Sequence, residues 1–504
     1  MEELRRGRDA AAGADLVEIR LDGVDRPDAT GALEGRHRPV IITCRPRWEG
    51  GAFDGSEEER ERLLVDALAG GAEFVDVEAR AEFVPAIMRQ RRGRGAVLSM
   101  HAFDELPTDL ESRFSAMRST GAEVVKIAIT AKRVSDMLPL IRLADANPAE
   151  ADGSPESSGH VLIAMGQPGV PSRVLAARLR NRWTYAGEGV APGQLPPGRL
   201  LQEFQFRRIA ADAALYGVVG NPVGHSLSPA MHNAGFAALG LNAAYVPLQA
   251  ADADDFVIFA KAVGLRGASI TAPFKVAMVS RVDDVEPLAR RVGAINTIAV
   301  RDGRWFGANT DVHGFIAPLA GRMALRGTRV AVLGAGGAAR AVAVALIEQG
   351  AAVSVCARRE DPARAVAEAS GARVGTFPPK PGTWDVLVNT IPLAEESDES
   401  PMAGVPLDGE IVFDLVYAPA ETPLLTQARA DGCMTIGGIE MLVAQAEKQF
   451  EMWTGQRPPA GLFRVAVDRT GRVSTMPQPS SADQGSLSRW PRDSFTGEIE
   501  KGSS

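Results

Sequence analysis

Arg329-Val330-Ala331-Val332-Leu333-Gly334-Ala335-Gly336-Gly337-Ala338-Ala339 reads as a strand, a glycine-rich turn and the start of a helix. The apolar run Val330 to Leu333 suits a strand covered on both faces, as in a parallel sheet. Ala338 to Gln349 continues the pattern as a helix. Between them the small residues Gly334, Ala335, Gly336, Gly337 and Ala338 let backbone amides approach a pyrophosphate at the helix N-terminus. The next strand, Ala352–Cys356, ends in Ala357-Arg358-Arg359. An acidic residue there would hold the ribose hydroxyls of NAD, whereas Arg358 and Arg359 suit the 2′-phosphate of NADP. The expected cofactor is NADP.

Working outward, the same alternation of apolar strands and helices fills the rest of the chain. In the first half the strands read are Leu16–Leu21, Val40–Cys44, Phe74–Val77, Ala96–Met100, Val124–Ile129, Val161–Met165 and Trp183–Ala186. Arg20, Arg45, Glu78, His101 and Lys126 sit at or near strand ends, where a (β/α)8 barrel places its chemistry. Only seven strands are legible. The chain opens in a helical stretch, Glu2–Ala12, and the strand expected before it is missing. The predicted architecture is α/β: an N-terminal TIM-type barrel at 1–198, lacking its first strand, then a two-domain unit with a Rossmann domain. That unit divides into a substrate-binding domain at 215–320, joined by a returning helix at 440–467, and a nucleotide-binding domain at 321–439. Asp152–Gly159 reads as a polar surface loop. The Ser-, Pro- and Gly-rich tail at 468–504 is expected to be disordered.

A chain of 504 residues is too long for one core. Its net charge of −8 argues against a nucleic-acid partner. Cys44, Cys356 and Cys433 are too far apart in sequence for a disulfide framework or a CxxC site, and six scattered histidines offer no zinc spacing, so no metal is expected. No apolar run is long enough for a membrane span and no leader is legible, so the chain reads as cytoplasmic, a monomer or homodimer with small-molecule partners.

Several motifs in the second half resemble the shikimate dehydrogenase family. They are Gly220-Asn221-Pro222-Val223-Gly224-His225-Ser226-Leu227-Ser228-Pro229, Thr271-Ala272-Pro273-Phe274-Lys275, Gly293-Ala294-Ile295-Asn296-Thr297, Asn309-Thr310-Asp311, Asp414-Leu415-Val416-Tyr417 and Gly438 through Gln445. The resemblance implies that Ser226 and Ser228 bind a substrate carboxylate and that Lys275 and Asp311 are catalytic. It places Thr271, Asn296, Tyr417 and Gln445 around the substrate and Gly438 beside the cofactor. Ketone reduction needs a proton delivered to oxygen, and a Lys–Asp pair can hold and shuttle it. Ser269 stands where that family usually has Asn, and Ala357 and Arg359 replace the Asn and Thr of its N-R-T cofactor motif.

Residues 9–194 resemble type I 3-dehydroquinate dehydratase through Glu18-Ile19-Arg20-Leu21-Asp22, Thr43-Cys44-Arg45, Glu49-Gly50-Gly51, Ser99-Met100-His101, Lys126-Ile127-Ala128, Ser172-Arg173 and Ala191-Pro192-Gly193-Gln194. Val190 stands where the family often has Ser. The resemblance implies that Lys126 forms an iminium with a substrate ketone, that His101 moves the proton and that Glu49 orients His101. It gives Arg173, with Arg45, the substrate carboxylate, and Glu18, Arg20 and Gln194 its hydroxyls. Lys126 has apolar neighbours in sequence and no obvious partner to neutralise it. The combined expectation is a bifunctional enzyme that dehydrates 3-dehydroquinate and reduces the product to shikimate with NADPH, as in aromatic amino acid biosynthesis. The alternative is an active shikimate or quinate dehydrogenase fused to an inactive scaffold barrel.

Overall fold

A computed structural model of the chain describes residues 1–11, 13–91, 95–147, 159–189, 191–392 and 399–472. Three sheets of six strands organise it. The first contains β1 (Val17–Arg20), β2 (Val40–Thr43), β3 (Phe74–Glu78), β4 (Gly95–Ala102), β5 (Val124–Thr130) and β6 (Gly159–Met165), all parallel and in sequential order. Sequential parallel neighbours joined by crossovers are the arrangement of a TIM-type barrel. The aliphatic runs account for it: every residue of β2 is buried, as is every residue of β5 except Thr130.

The structure differs from the sequence reading at the last of the seven strands. Trp183–Ala186 has β-prone composition but forms no ladder. The outer edge of β6 is already satisfied. The Asn181 carboxamide donates to the Leu162 carbonyl at 2.9 Å and accepts from its N–H at 2.8 Å. The Ser172 hydroxyl accepts from the Ala164 N–H at 2.9 Å, and the Arg182 N–H donates to the His160 carbonyl at 2.9 Å. A side-chain amide carries the same donor and acceptor as a peptide, so it ends the sheet as a paired strand would. The segment instead sets the Tyr185 ring 4.6 Å from Nζ of Lys126. At the opposite edge, β1 pairs only with β2 among the described residues. The opening helix is Glu2–Ala10. Ala12, residues 152–158, Val190 and residues 473–504 lie outside the described residues. Asp468 and Arg469, placed in the tail by the sequence reading, are the last residues of the helix Leu462–Arg469.

The second sheet holds β7 (Ala214–Gly220), β8 (Ala243–Gln249), β9 (Gly267–Ile270), β10 (Asp284–Val285), β11 (Thr297–Arg301) and β12 (Arg304–Ala308) in the order β10-β12-β11-β9-β7-β8. It is mixed, because β11 runs antiparallel to both β9 and β12. The third is all parallel: β13 (Arg329–Leu333), β14 (Ala352–Cys356), β15 (Arg373–Gly375), β16 (Val386–Asn389), β17 (Ile411–Asp414) and β18 (Met434–Gly437), in the order β15-β14-β13-β16-β17-β18. That order reverses direction at β13, and doubly wound sheets bind nucleotides at such a switch. The helix Gly438–Thr454 leaves β18 and returns across the second sheet, packing on the helix Thr310–Ala320. Gly314 permits the approach, since a Cβ there would lie 2.7 Å from Cβ of Gln445.

The barrel and the second sheet share one continuous hydrophobic core running from Ile19 to Trp305. At their seam Met137, Leu140, Ile141 and Leu175 face Leu215, Phe259 and Val263. Asp255, fully buried on the helix Ala253–Ala262, pins the same seam by accepting from the N–H groups of Val134 and Ser135 at 3.1 Å each. Asp255→Ala would strand those donors. It is expected to lower stability by roughly 2–4 kcal/mol. Thermal inactivation should follow both activities, and a loss confined to one would count against a shared unit.

Candidate active sites

Within the barrel, strand alternation puts Asp76 and Glu78 of β3, Ser99 of β4 and Lys126 of β5 among buried polar residues. Nζ of Lys126 lies 3.0 Å from Asp76 and 3.9 Å from Glu18. This corrects the expectation that no partner neutralises Lys126. Asp76 is fully buried in the apolar run Phe74-Val75-Asp76-Val77, and it also holds Arg45 at 2.9 Å and Ser99 at 2.6 Å. Burial alone would favour the neutral amine, but the charge of Asp76 outweighs it, and Lys126 titrates above the usual lysine range. Despite its own burial, Asp76 is held below the usual carboxylate range by Arg45 and Lys126.

His101 stands one residue before the end of the same strand as Ser99. Oε1 of Glu49 accepts from its backbone N–H at 2.7 Å and lies 3.3 Å from Nδ1, which fixes the ring. Burial, followed by the positive charges of Arg45 and Lys126, keeps His101 well below the ordinary imidazole value of 6.5. The two arginines expected at a carboxylate differ in kind. Arg45 is committed to Asp76, to Glu78 at 2.6 Å and to Ser99 at 2.7 Å. Arg173 is just as buried, yet its Nε has no partner among the described residues, and burial lowers its pKa to about 10. Such a guanidinium is suited to an incoming anion. Glu18 accepts from Thr43 at 2.7 Å, and Arg20 is held bidentate by Asp22 at 2.7 Å. Oε1 of Gln194 is buried without a described partner.

In the second half, Nζ of Lys275 is 2.6 Å from Oδ2 of Asp311, and Oδ1 accepts from Nδ2 of Asn296 at 2.7 Å. Three separate motifs thus meet at one carboxylate. Gly220 lets the Ser226–Ser228 loop start close to Thr271, whose Cγ2 would lie 2.4 Å from any added Cβ. Tyr417 is partly buried, and the loss of solvent raises its pKa, while the charges of Arg472 and Lys275 act in the opposite direction. Gln445 is buried on the helix Gly438–Thr454, whose first residue approaches β17 so closely that a Cβ on Gly438 would meet the Leu415 carbonyl at 2.3 Å. Sequence reasoning missed Gln449, one helical turn further on. Its carboxamide donates to Thr297 Oγ1 at 3.0 Å and to the Asn296 carbonyl at 3.2 Å. The i, i+4 spacing from Gln445 was the signal that could have found it.

The nucleotide turn leaves β13 with Gly334 at φ +108°, where a Cβ would also meet Thr390 Oγ1 at 2.5 Å. Around Gly336 and Gly337 an added Cβ meets nothing within 4 Å, so backbone amides there are open to a ligand. Ala335 and Ala338 flank them, and Arg358 and Arg359 are exposed beyond the end of β14. These residues fit a phosphorylated dinucleotide. Among the described residues, no group of three or more His, Cys, Asp or Glu could hold a metal ion.

Family models match the chain in three places: type I 3-dehydroquinase at residues 2–210, the shikimate dehydrogenase substrate binding domain at 218–298 and the shikimate 5'-dehydrogenase C-terminal domain at 438–467. The bifunctional 3-dehydroquinate dehydratase/shikimate dehydrogenase, chloroplastic, of Arabidopsis thaliana is 34% identical over 489 residues, covering 90% of this chain and 79% of that protein. The chain belongs to this bifunctional dehydratase/dehydrogenase family. The shikimate dehydrogenase (NADP(+)) of Haloarcula marismortui is 42% identical over 253 residues, covering 49% of this chain and 95% of that one. The solved dehydroquinate dehydratase and shikimate dehydrogenase from S. pombe AroM spans 93% of this chain and 95% of its own, at 25% identity and a TM-score of 0.44.

In the dehydrogenase half, the Ser269 departure has a local explanation. Its hydroxyl accepts from Tyr245 at 2.6 Å and donates to Oε1 of Gln449 at 2.7 Å, so a buried chain of bonds holds the Gln449 carboxamide. Changing Arg358 and Arg359 together to Ser is expected to raise the KM for NADP far more than that for NAD. Each charge-assisted phosphate contact is worth about 1.5–3 kcal/mol. Equal losses for the two cofactors would refute phosphate recognition.

Proposed function

We propose that this chain dehydrates 3-dehydroquinate at Lys126 in its barrel and reduces the resulting 3-dehydroshikimate to shikimate at Lys275, with NADPH as the reductant. The observation that carries the reading is a pair of charged, hydrogen-bonded clusters in one molecule: Lys126 with Asp76, and His101 with Glu49, in one half, Lys275 with Asp311 and Asn296 in the other. The division into a barrel at 1–198, a substrate domain at 215–320 with 440–467 and a nucleotide domain at 321–439 follows from it. Three buried, free cysteines suit a reducing, cytoplasmic setting.

In the barrel, neutral His101 takes a proton from Lys126, the freed amine adds to the ketone, and His101 returns the proton to the carbinolamine hydroxyl. Expulsion of water leaves an iminium, an electron sink that acidifies the neighbouring C–H. Asp76 and the face of Tyr185 stabilise the cationic nitrogen. His101, oriented by Glu49, removes the proton and returns one to the departing hydroxyl, and hydrolysis frees Lys126. Arg173 holds the carboxylate, with Glu18, Arg20 and Gln194 on the hydroxyls.

At the second site, Ser226, Ser228 and Tyr417 hold the carboxylate, while Thr271, Asn296, Asp311 and Gln445 set the ring. When bound at the Gly334–Ala338 turn and Gly438, NADPH supplies hydride. Lys275, paired with Asp311, supplies the proton to the oxygen. The test is to give the chain 3-dehydroquinate and NADPH and look for shikimate. An inactive barrel would leave NADPH unconsumed until 3-dehydroshikimate is added.

The pH dependence of dehydration follows from His101. As a base it must be neutral, and its pKa lies well below 6.5, so protonation comes only at lower pH. The iminium keeps the positive charge of Lys126, so the depression persists during turnover. The kcat for dehydration is therefore expected to hold as pH falls through 6.5. An acid limb at or above 6.5 would contradict this account.

A further inference from the structure

Behind the loop that carries Ser226 and Ser228 lies a cluster of three charged side chains that no motif announces. Glu203 ends the short helical turn Arg199–Glu203, which leads from the barrel into the dehydrogenase half, and its side chain is only 5% exposed. Its carboxylate pairs with Arg199 at 2.8 Å and with Arg472 at 3.0 Å. Both guanidiniums turn other N–H groups onto the loop backbone. Nη2 of Arg199 donates to the Gly224 carbonyl at 3.3 Å. Nη1 of Arg472 donates to the carbonyls of His225 at 3.3 Å and Ser226 at 3.4 Å. The Glu203 carbonyl in turn accepts from Nδ2 of Asn233 at 3.3 Å, on the helix that Ser228 begins.

Three successive loop carbonyls are therefore tied to one buried carboxylate through two arginines. Each bond is long and singly weak, but moving the loop would disturb all three and the ion pairs behind them. The two arginines exceed the one glutamate by one positive charge, a field that favours an anion on the loop. The neighbouring Tyr417 feels Arg472 as well as Lys275.

We propose that Glu203, acting through Arg199 and Arg472, is a positioning residue that presets the Gly224–Ser226 backbone so that the hydroxyls of Ser226 and Ser228 receive the substrate carboxylate. The inference rests on the functional reading above, in which those serines bind that group. Its value is preorganisation, because a loop already held in place loses less freedom when substrate arrives.

The test is steady-state kinetics on the full chain with Glu203→Gln, Arg472→Gln and Arg472→Lys. In the first two, the KM for shikimate is expected to rise about tenfold or more, as small misplacements at a binding group do. The kcat, the KM for NADP and the dehydratase parameters should stay near wild type, and Arg472→Lys should recover part of the loss. Shikimate methyl ester, which lacks the carboxylate charge, should be processed equally by wild type and variants. An unchanged shikimate KM in Arg472→Gln overturns the proposal, as does a parallel rise for shikimate, its ester and NADP, which marks general loosening. A wild-type chain inert to shikimate overturns the functional reading and the clamp together, whereas active wild type with indifferent variants removes the clamp alone.

Discussion

Lys126→Ala is expected to abolish dehydration of 3-dehydroquinate while leaving shikimate oxidation at its wild-type rate. No other side chain at the barrel site can take over. In the proposed reaction the amine must form and break a bond to substrate carbon, and Arg45, Arg60 and Arg173, buried cations of the barrel, are not nucleophiles. The fold should survive the change, because Asp76 keeps its pairing with Arg45 at 2.9 Å and its bond from Ser99 at 2.6 Å. The second activity should survive because the two sites share no residue. Borohydride added with 3-dehydroquinate should attach ligand mass to the wild-type peptide containing Lys126 and to no peptide of the variant. Residual dehydration in the variant would end the Schiff-base account.

Lys275→Ala should leave the barrel untouched and lower the kcat for shikimate oxidation by about 10²–10⁴-fold, with a smaller change in KM. The geometry sets the sign. Asp311 is divided between Lys275 at 2.6 Å and Asn296 at 2.7 Å, so without the lysine it can still be held for substrate but has lost its proton partner. An effect confined to KM would make Lys275 a binding residue. Asp311→Asn offers a second view, since it preserves the bond count around Asn296 while removing the charge.

How much of this was legible in the sequence depended on whether the signal was local. Lys126, His101 and Glu49 stand in short motifs, on β5, near the end of β4 and on the turn Arg47–Glu49, and the glycine turn sits between a strand and a helix whose periods are plain. Asp76 was overlooked because an acid inside Phe74-Val75-Asp76-Val77-Glu78 resembles ordinary alternation toward solvent. Only the closed packing of neighbouring strands puts it against Lys126, 50 residues away. Trp183–Ala186 failed as a strand for the opposite reason. Its own composition is right, but Asn181, just ahead of it, occupies the edge it would have joined. Arg472 was beyond reach altogether, since it meets the His225 carbonyl across 247 positions of chain.

The continuous core between the barrel and the second sheet has a consequence for inheritance. If each catalyst stood on its own foundation, a lesion in one would spare the other, and a cell could lose or regain them separately. Here Phe259 and Val263 of one half pack at the seam against Leu140 and Ile141 of the other, within a single hydrophobic cluster. A cavity opened there should lower the abundance of both activities at once, without touching either set of reacting groups. Selection then acts on the pair as one trait, and a substitution that firms the seam benefits two reactions that have no chemistry in common.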